Sequence, residues 1–170
     1  LSGTYPGENF GAAVAGVGDL DGDGKADFAV GAPGWTAVDD GWPIPGEVTI
    51  RSGATGAVLQ SHSGTGPRDL FGSMMVNLGD ATGDGKSDLA IAASPFHPAS
   101  GLYKDAYVRV VSLGSGATAY TYPVDGETAL DIVAFVGAPG DVNGDGFADL
   151  LTGSQVAADN GYESGEAQLL

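Results

Sequence analysis

The sequence predicts an all-β chain of three tandem four-stranded antiparallel units, with the last unit incomplete. Three observations carry that expectation. An acidic nine-residue loop recurs with its opening aspartates at Asp19, Asp80 and Asp141, a spacing of 61 residues each time, and a fixed period of this order marks a repeat architecture. Short apolar runs flank every loop, and none shows the periodicity of a helix. The 30 glycines and nine prolines fall mostly between those runs, where turns require them.

The elements follow one order in every unit. A unit opens at Phe10-Gly11, at Phe71-Gly72 and, in degenerate form, at Ile132-Val133. A run of small and apolar residues comes next (12–18, 73–79 and 134–140), whose composition suits a strand in a crowded place. After the acidic loop, a second apolar strand starts at Phe28, Leu89 and Leu150. A variable loop, holding Trp35 and Trp42 in the first unit, leads to a third strand from Glu47, Tyr107 and Glu166. The turns Gly53-Ala54-Thr55-Gly56 and Gly114-Ser115-Gly116 then start a fourth strand at 57–62 and 117–122. The repeats cover approximately 10–70, 71–131 and 132–170, within one repeat domain of 1–170. Ser2–Phe10 aligns with Ser63–Phe71, and Leu170 aligns with the end of a third strand. Roughly eleven more residues would bring the last unit into register with the others. Four short antiparallel strands per unit make a blade of β-propeller type. Three blades cannot close a ring alone, so they stay open or are completed by partner subunits.

Composition narrows the function. The formal charge is −16, yet 42% of the residues are hydrophobic, which excludes a disordered polyanion. Ten of the 22 acidic residues lie inside the three loops, a clustering that points to cation sites. Three bound divalent cations would bring the same count to about −10. Six basic residues cannot offset repulsion from phosphate, so nucleic acid is excluded as a partner. Cysteine is absent, which removes disulfides and thiolate metal sites. No apolar stretch is long enough for a membrane-spanning helix, so no membrane insertion is expected. Leu1 in place of Met suits a processed secreted protein or a fragment.

The loops carry the chemistry. Positions 1, 3, 5 and 9 of each loop hold oxygen-bearing side chains, and position 7 offers its backbone carbonyl. The first candidate site is Asp19, Asp21, Asp23 and Asp27 with the carbonyl of Lys25. The second is Asp80, Thr82, Asp84 and Asp88 with that of Lys86, and the third is Asp141, Asn143, Asp145 and Asp149 with that of Phe147. Glycines at position 6 (Gly24, Gly85 and Gly146) let the chain turn sharply about an ion. Oxygen ligands at alternate positions around a glycine turn are what Ca²⁺ needs, so three Ca²⁺ sites are expected. Without a cation the converging carboxylates would repel one another, so binding should couple to local folding. An EF-hand loop would need a bidentate acid at position 12, where Val30, Ile91 and Thr152 stand. Thr82 and Asn143 each replace a carboxylate, so the second and third sites should bind more weakly than the first.

Phe-Gly, the D-x-D-x-D-G-x-x-D loop and Gly31-Ala32-Pro33 together resemble the FG-GAP repeat of integrin α-subunit β-propellers and their bacterial relatives. The likeness is close in the first unit. It weakens in the second, where Ala92-Ala93-Ser94 replaces Gly-Ala-Pro, and in the third, which lacks both motifs. The resemblance implies four-stranded blades, a structural Ca²⁺ between strands one and two, and a place outside the cell.

Other motifs have blander explanations. Gly85-Lys86-Ser87 imitates the end of a phosphate-binding loop, but Asp80 occupies the position of the required leading glycine. His62 and His97 lie near no nucleophile pattern, and the closely spaced carboxylates belong to the loops, so no enzyme is expected. Trp35, Trp42, Tyr103 and Tyr107 could stack on sugars. The function expected is therefore a secreted, non-enzymatic, calcium-binding structural protein that self-associates into an extracellular or surface filament or ring. The alternatives are a propeller lectin or adhesion module binding glycan or protein through its variable loops, or a piece of a longer propeller.

Overall fold

The computed structural model describes residues 1–34, 44–97, 102–103, 105–124, 135–154 and 165–170. Trp35, Trp42 and Ile132-Val133 lie outside them.

The first sheet is an antiparallel meander of β1 (Ala13–Gly18), β2 (Asp27–Ala32), β3 (Glu47–Arg51) and β4 (Val58–Ser63). The second repeats it with β5 (Met74–Gly79), β6 (Asp88–Ala93), β9 (Tyr107–Ser112) and β10 (Thr118–Pro123). Between β6 and β9 the chain makes a small hairpin of β7 (Phe96–His97) and β8 (Leu102–Tyr103), which nothing in the sequence pattern announces. The third sheet has three strands, β11 (Phe135–Gly140), β12 (Asp149–Ser154) and β13 (Glu166–Leu169). No helix occurs among the described residues. The array is open, in keeping with the expected fold.

The sheets stack with their first strands adjacent, β1 against β5 and β5 against β11. Alternation along each strand then fills two separate cores. Leu89, Ile91, Tyr107 and Val111 of the second sheet meet Val17, Ala29, Val48 and Ile50 of the first. From the opposite face, Ala90, Ala92, Val108 and Val110 join Leu78 and meet Leu150 of the third sheet. The centre of the middle sheet is thus covered on both faces, which is why β6 is apolar from Leu89 to Ala93 and is buried throughout.

Two motifs now have physical causes. Gly18, Gly79 and Gly140 end the first strands with φ of 75°, 78° and 84°, at the register shift of each first pair. Such a bulge needs a left-handed residue and turns the chain into the acidic loop. Phe-Gly and Gly-Ala-Pro meet across the boundary between sheets. Within each unit the Phe-Gly amide reaches the end of the second strand, Gly11 donating to the Gly31 carbonyl and Gly72 to that of Ala92. A methyl group added to Gly31 would collide with the Gly72 carbonyl oxygen, and one on Gly72 would stand 2.8 Å from a Val48 methyl.

The crowding expected around all three first strands holds only in the middle. β5 is partly or fully buried along its length, whereas Val14 of β1 and Phe135 of β11 are 68% and 63% exposed. Crowding comes from neighbouring sheets, and only β5 has one on each side.

Candidate metal centre

The three acidic loops share one wiring scheme. The carboxylate at position 1 accepts hydrogen bonds from the amides of positions 4, 5 and 6: Asp19 from Gly22, Asp23 and Gly24 at 2.7, 3.1 and 2.9 Å. Asp80 and Asp141 do the same for their own loops. The carboxylate at position 5 accepts from the amide of position 7, so Asp23, Asp84 and Asp145 hold Lys25, Lys86 and Phe147 at 2.8–2.9 Å. At position 9, Asp27, Asp88 and Asp149 are buried and accept from the amides of Leu20, Ala81 and Val142 at 2.7, 2.8 and 2.6 Å. Each loop is therefore a set of carboxylates fixed by the backbone they encircle, with the last one sunk into the sheet.

The loops differ in detail. In the first, one oxygen each of Asp19, Asp21 and Asp27 lies within 4.8 Å of the others. Asp23 stands outside that trio. No comparable carboxylate trio closes in the other two loops among the described residues, since position 3 is not acidic there. Thr82 donates to Asp88 at 3.3 Å and Asn143 to Asp149 at 3.1 Å. The anchors also differ in proton affinity. Burial raises the pKa of Asp27, but the amides of Gly53, Leu20 and Asp21 outweigh it and hold the group below the ordinary carboxylate value. For Asp88 burial prevails over its hydrogen bonds and the pKa is raised. At Asp84 the Ser112 hydroxyl is the main cause of a lowered value.

The candidate donors expected from the sequence are all oxygen: carboxylates, a hydroxyl in the second loop, a side-chain amide in the third, and the position-7 carbonyl. That chemistry suits a hard cation such as Ca²⁺, and it lacks the nitrogen or sulfur donors that zinc or copper prefer.

Two acidic residues of consequence escaped the reading of motifs. Asp69 is buried, accepts from the Thr65 amide at 2.6 Å and from the Tyr107 hydroxyl, and so pins the entry to the second sheet. Glu8 does the same at the first sheet, accepting from the Thr4 and Tyr5 amides at 2.6 and 3.1 Å. The signal was present: each stands two residues before a Phe-Gly pair. Those phenylalanines lie under arginines of the third strands, Arg51 5.3 Å from the Phe10 ring and Arg109 4.6 Å from Phe71. Tyr107, one of the four aromatics that could have stacked on sugars, is 8% exposed and stacked on Phe71. Its place in the core between the first two sheets takes most of the ring out of contact with solvent.

A family model described as the FG-GAP repeat matches residues 10–58 and 134–170. The chain belongs to the FG-GAP repeat family. Its FG-GAP character extends to a curated relative, integrin alpha-4 of Xenopus laevis, which is 40% identical over 91 residues, 51% of this chain. The aligned segment spans 8% of that relative's length. In FG-GAP terms, residues 10–58 contain Phe-Gly, the first acidic loop and Gly-Ala-Pro, whose Gly31 meets Gly72 between the first two sheets.

Proposed function

We propose that this chain is a non-enzymatic, calcium-binding structural module of an extracellular or cell-surface protein, with Ca²⁺ clamping each blade between its first two strands. The observation that carries this is the threefold recurrence of one wiring scheme, in which acidic side chains at alternate positions are held by the amides of the loop itself. Electrostatic repulsion among those carboxylates would oppose the loop's closure, and a divalent cation removes that opposition. Lys25, Lys86 and Phe147 would contribute backbone carbonyls, and their side chains would stay outside the ion's shell. The integrin-like character of the repeats supports a place outside the cell.

The third sheet supports assembly as the module's role. Leu151 pairs with Leu169, and Phe135 pairs with Gly153, which puts Phe135, Leu151 and Leu169 on one face, 63%, 40% and 50% exposed. That face is turned away from the Leu150 contact with the middle sheet. Blades bury such faces against neighbours, supplied by a second copy or by further blades of a longer propeller.

The clamp is tested by thermal unfolding with millimolar Ca²⁺ and after chelation. Ca²⁺ should raise the midpoint by several degrees, a stabilisation of about 3 kcal/mol at a hundredfold excess over Kd for each site. The combined variant Asp23→Ala, Asp84→Ala, Asp145→Ala should lose that rise. A variant that unfolds at the wild-type midpoint in millimolar Ca²⁺ would show that the loops are not structural cation sites.

A further inference from the structure

Phe147 belongs to two loops at once. Its amide donates to Asp145 at 2.9 Å, placing its backbone inside the third loop. Its ring lies on Gly83 of the second loop, so that a methyl group on Gly83 would stand 2.9 Å from the ring's Cε1. The Gly83 amide in turn donates to Asp80 at 2.6 Å. An unbroken line of contacts therefore runs from a position-5 carboxylate of one loop to the position-1 carboxylate of the next. Among the described residues the first and second loops have no such bridge. Lysine occupies the equivalent place, Lys86, and no described residue lies within 4 Å of where a methyl group on Gly22 would sit.

We infer that Phe147 couples the second and third cation loops, so that an ion in one strengthens binding in the other; this rests on the calcium-binding function proposed above. An empty loop is loosened by repulsion among its carboxylates, and an ion settles it. Settling the third loop fixes the Phe147 backbone and holds its ring against Gly83. That favours the turn in which the Gly83 amide caps Asp80. By linkage the effect runs equally in reverse. Phe147 is thus a positioning residue for the second site while offering its carbonyl to the third.

The experiment follows the Gly24, Gly85 and Gly146 amide resonances of the full chain during a Ca²⁺ titration, one position-6 glycine reporting on each loop. Asp145→Asn weakens the third loop while retaining an oxygen for the Phe147 amide. Coupling at the lower end of the usual range predicts that it raises the Gly85 midpoint about fivefold and leaves Gly24 unmoved. In a Phe147→Ala background, which changes no charge, the same substitution should leave the Gly85 midpoint within about 1.5-fold. Gly24 serves as the check that both variants remain folded. A Gly85 midpoint indifferent to Asp145→Asn would overturn the coupling. So would an equal shift with and without the ring, which would assign the effect to charge alone. If no glycine responds to Ca²⁺, the cation function itself fails and the coupling falls with it.

Discussion

Single side chains set the tolerances of this molecule, and Tyr107 shows how. Its burial and its hydrogen bond to Asp69 push its pKa from 10.0 up to about 12, because both favour the neutral phenol. A group whose folded pKa is raised contributes stability that is complete below its unfolded pKa and is lost as pH climbs to the folded one. Wild type should therefore lose about 3 kcal/mol between pH 10 and 12 through this group. Tyr107→Phe should be less stable at pH 8, by about 1–3 kcal/mol for the bond removed, but should lack that alkaline loss. Urea midpoints at the two extremes compare them directly. His62 works in the opposite sense, since burial and the Arg109 charge lower its pKa. Its contribution is full above the unfolded value of about 6.5 and is lost as pH falls through the depressed one. The loop residues were legible in the sequence because the amides that wire each loop lie within nine positions, although Asp27 and Asp84 also reach Gly53 and Ser112. The Asp69 contact to Tyr107 reaches 38 residues along the chain, so its meaning appeared only with the fold.

At the level of strands and turns, order and type were readable for every strand of the three sheets, since apolar runs and turn residues alternate cleanly. What could not be read was which side of a strand is covered, because that depends on the stacking of units and not on the unit. Two glycines separate these cases. Gly31 presses on the Gly72 carbonyl, while no described residue comes within 4 Å of a methyl group added to Gly16. Gly31→Ala should accordingly cost about 1–3 kcal/mol through overpacking. Gly16→Ala, at a backbone angle open to any residue, should be neutral or stabilising by up to about 1 kcal/mol. Chemical denaturation of the two variants side by side checks the contrast. The β7–β8 hairpin was missed because two-residue strands carry no periodicity.

Taken whole, the protein is a stack whose middle layer is finished and whose outer layers are not. The open apolar face of the third sheet should drive association in the isolated chain, and Leu151→Glu should abolish it by placing a charge on that face. Molar mass by light scattering in Ca²⁺ would detect the change; a mass already monomeric in wild type would remove self-association from the proposal. The stack also orders how protection is distributed in time. β6 and β9 are covered on both faces and have a hydrogen-bonded strand along either edge, so their amides are released only when the stack as a whole comes apart. After transfer to heavy water, the signals of 88–93 and 107–112 should be the last to fade, long after those of β4 and β13 at the rims.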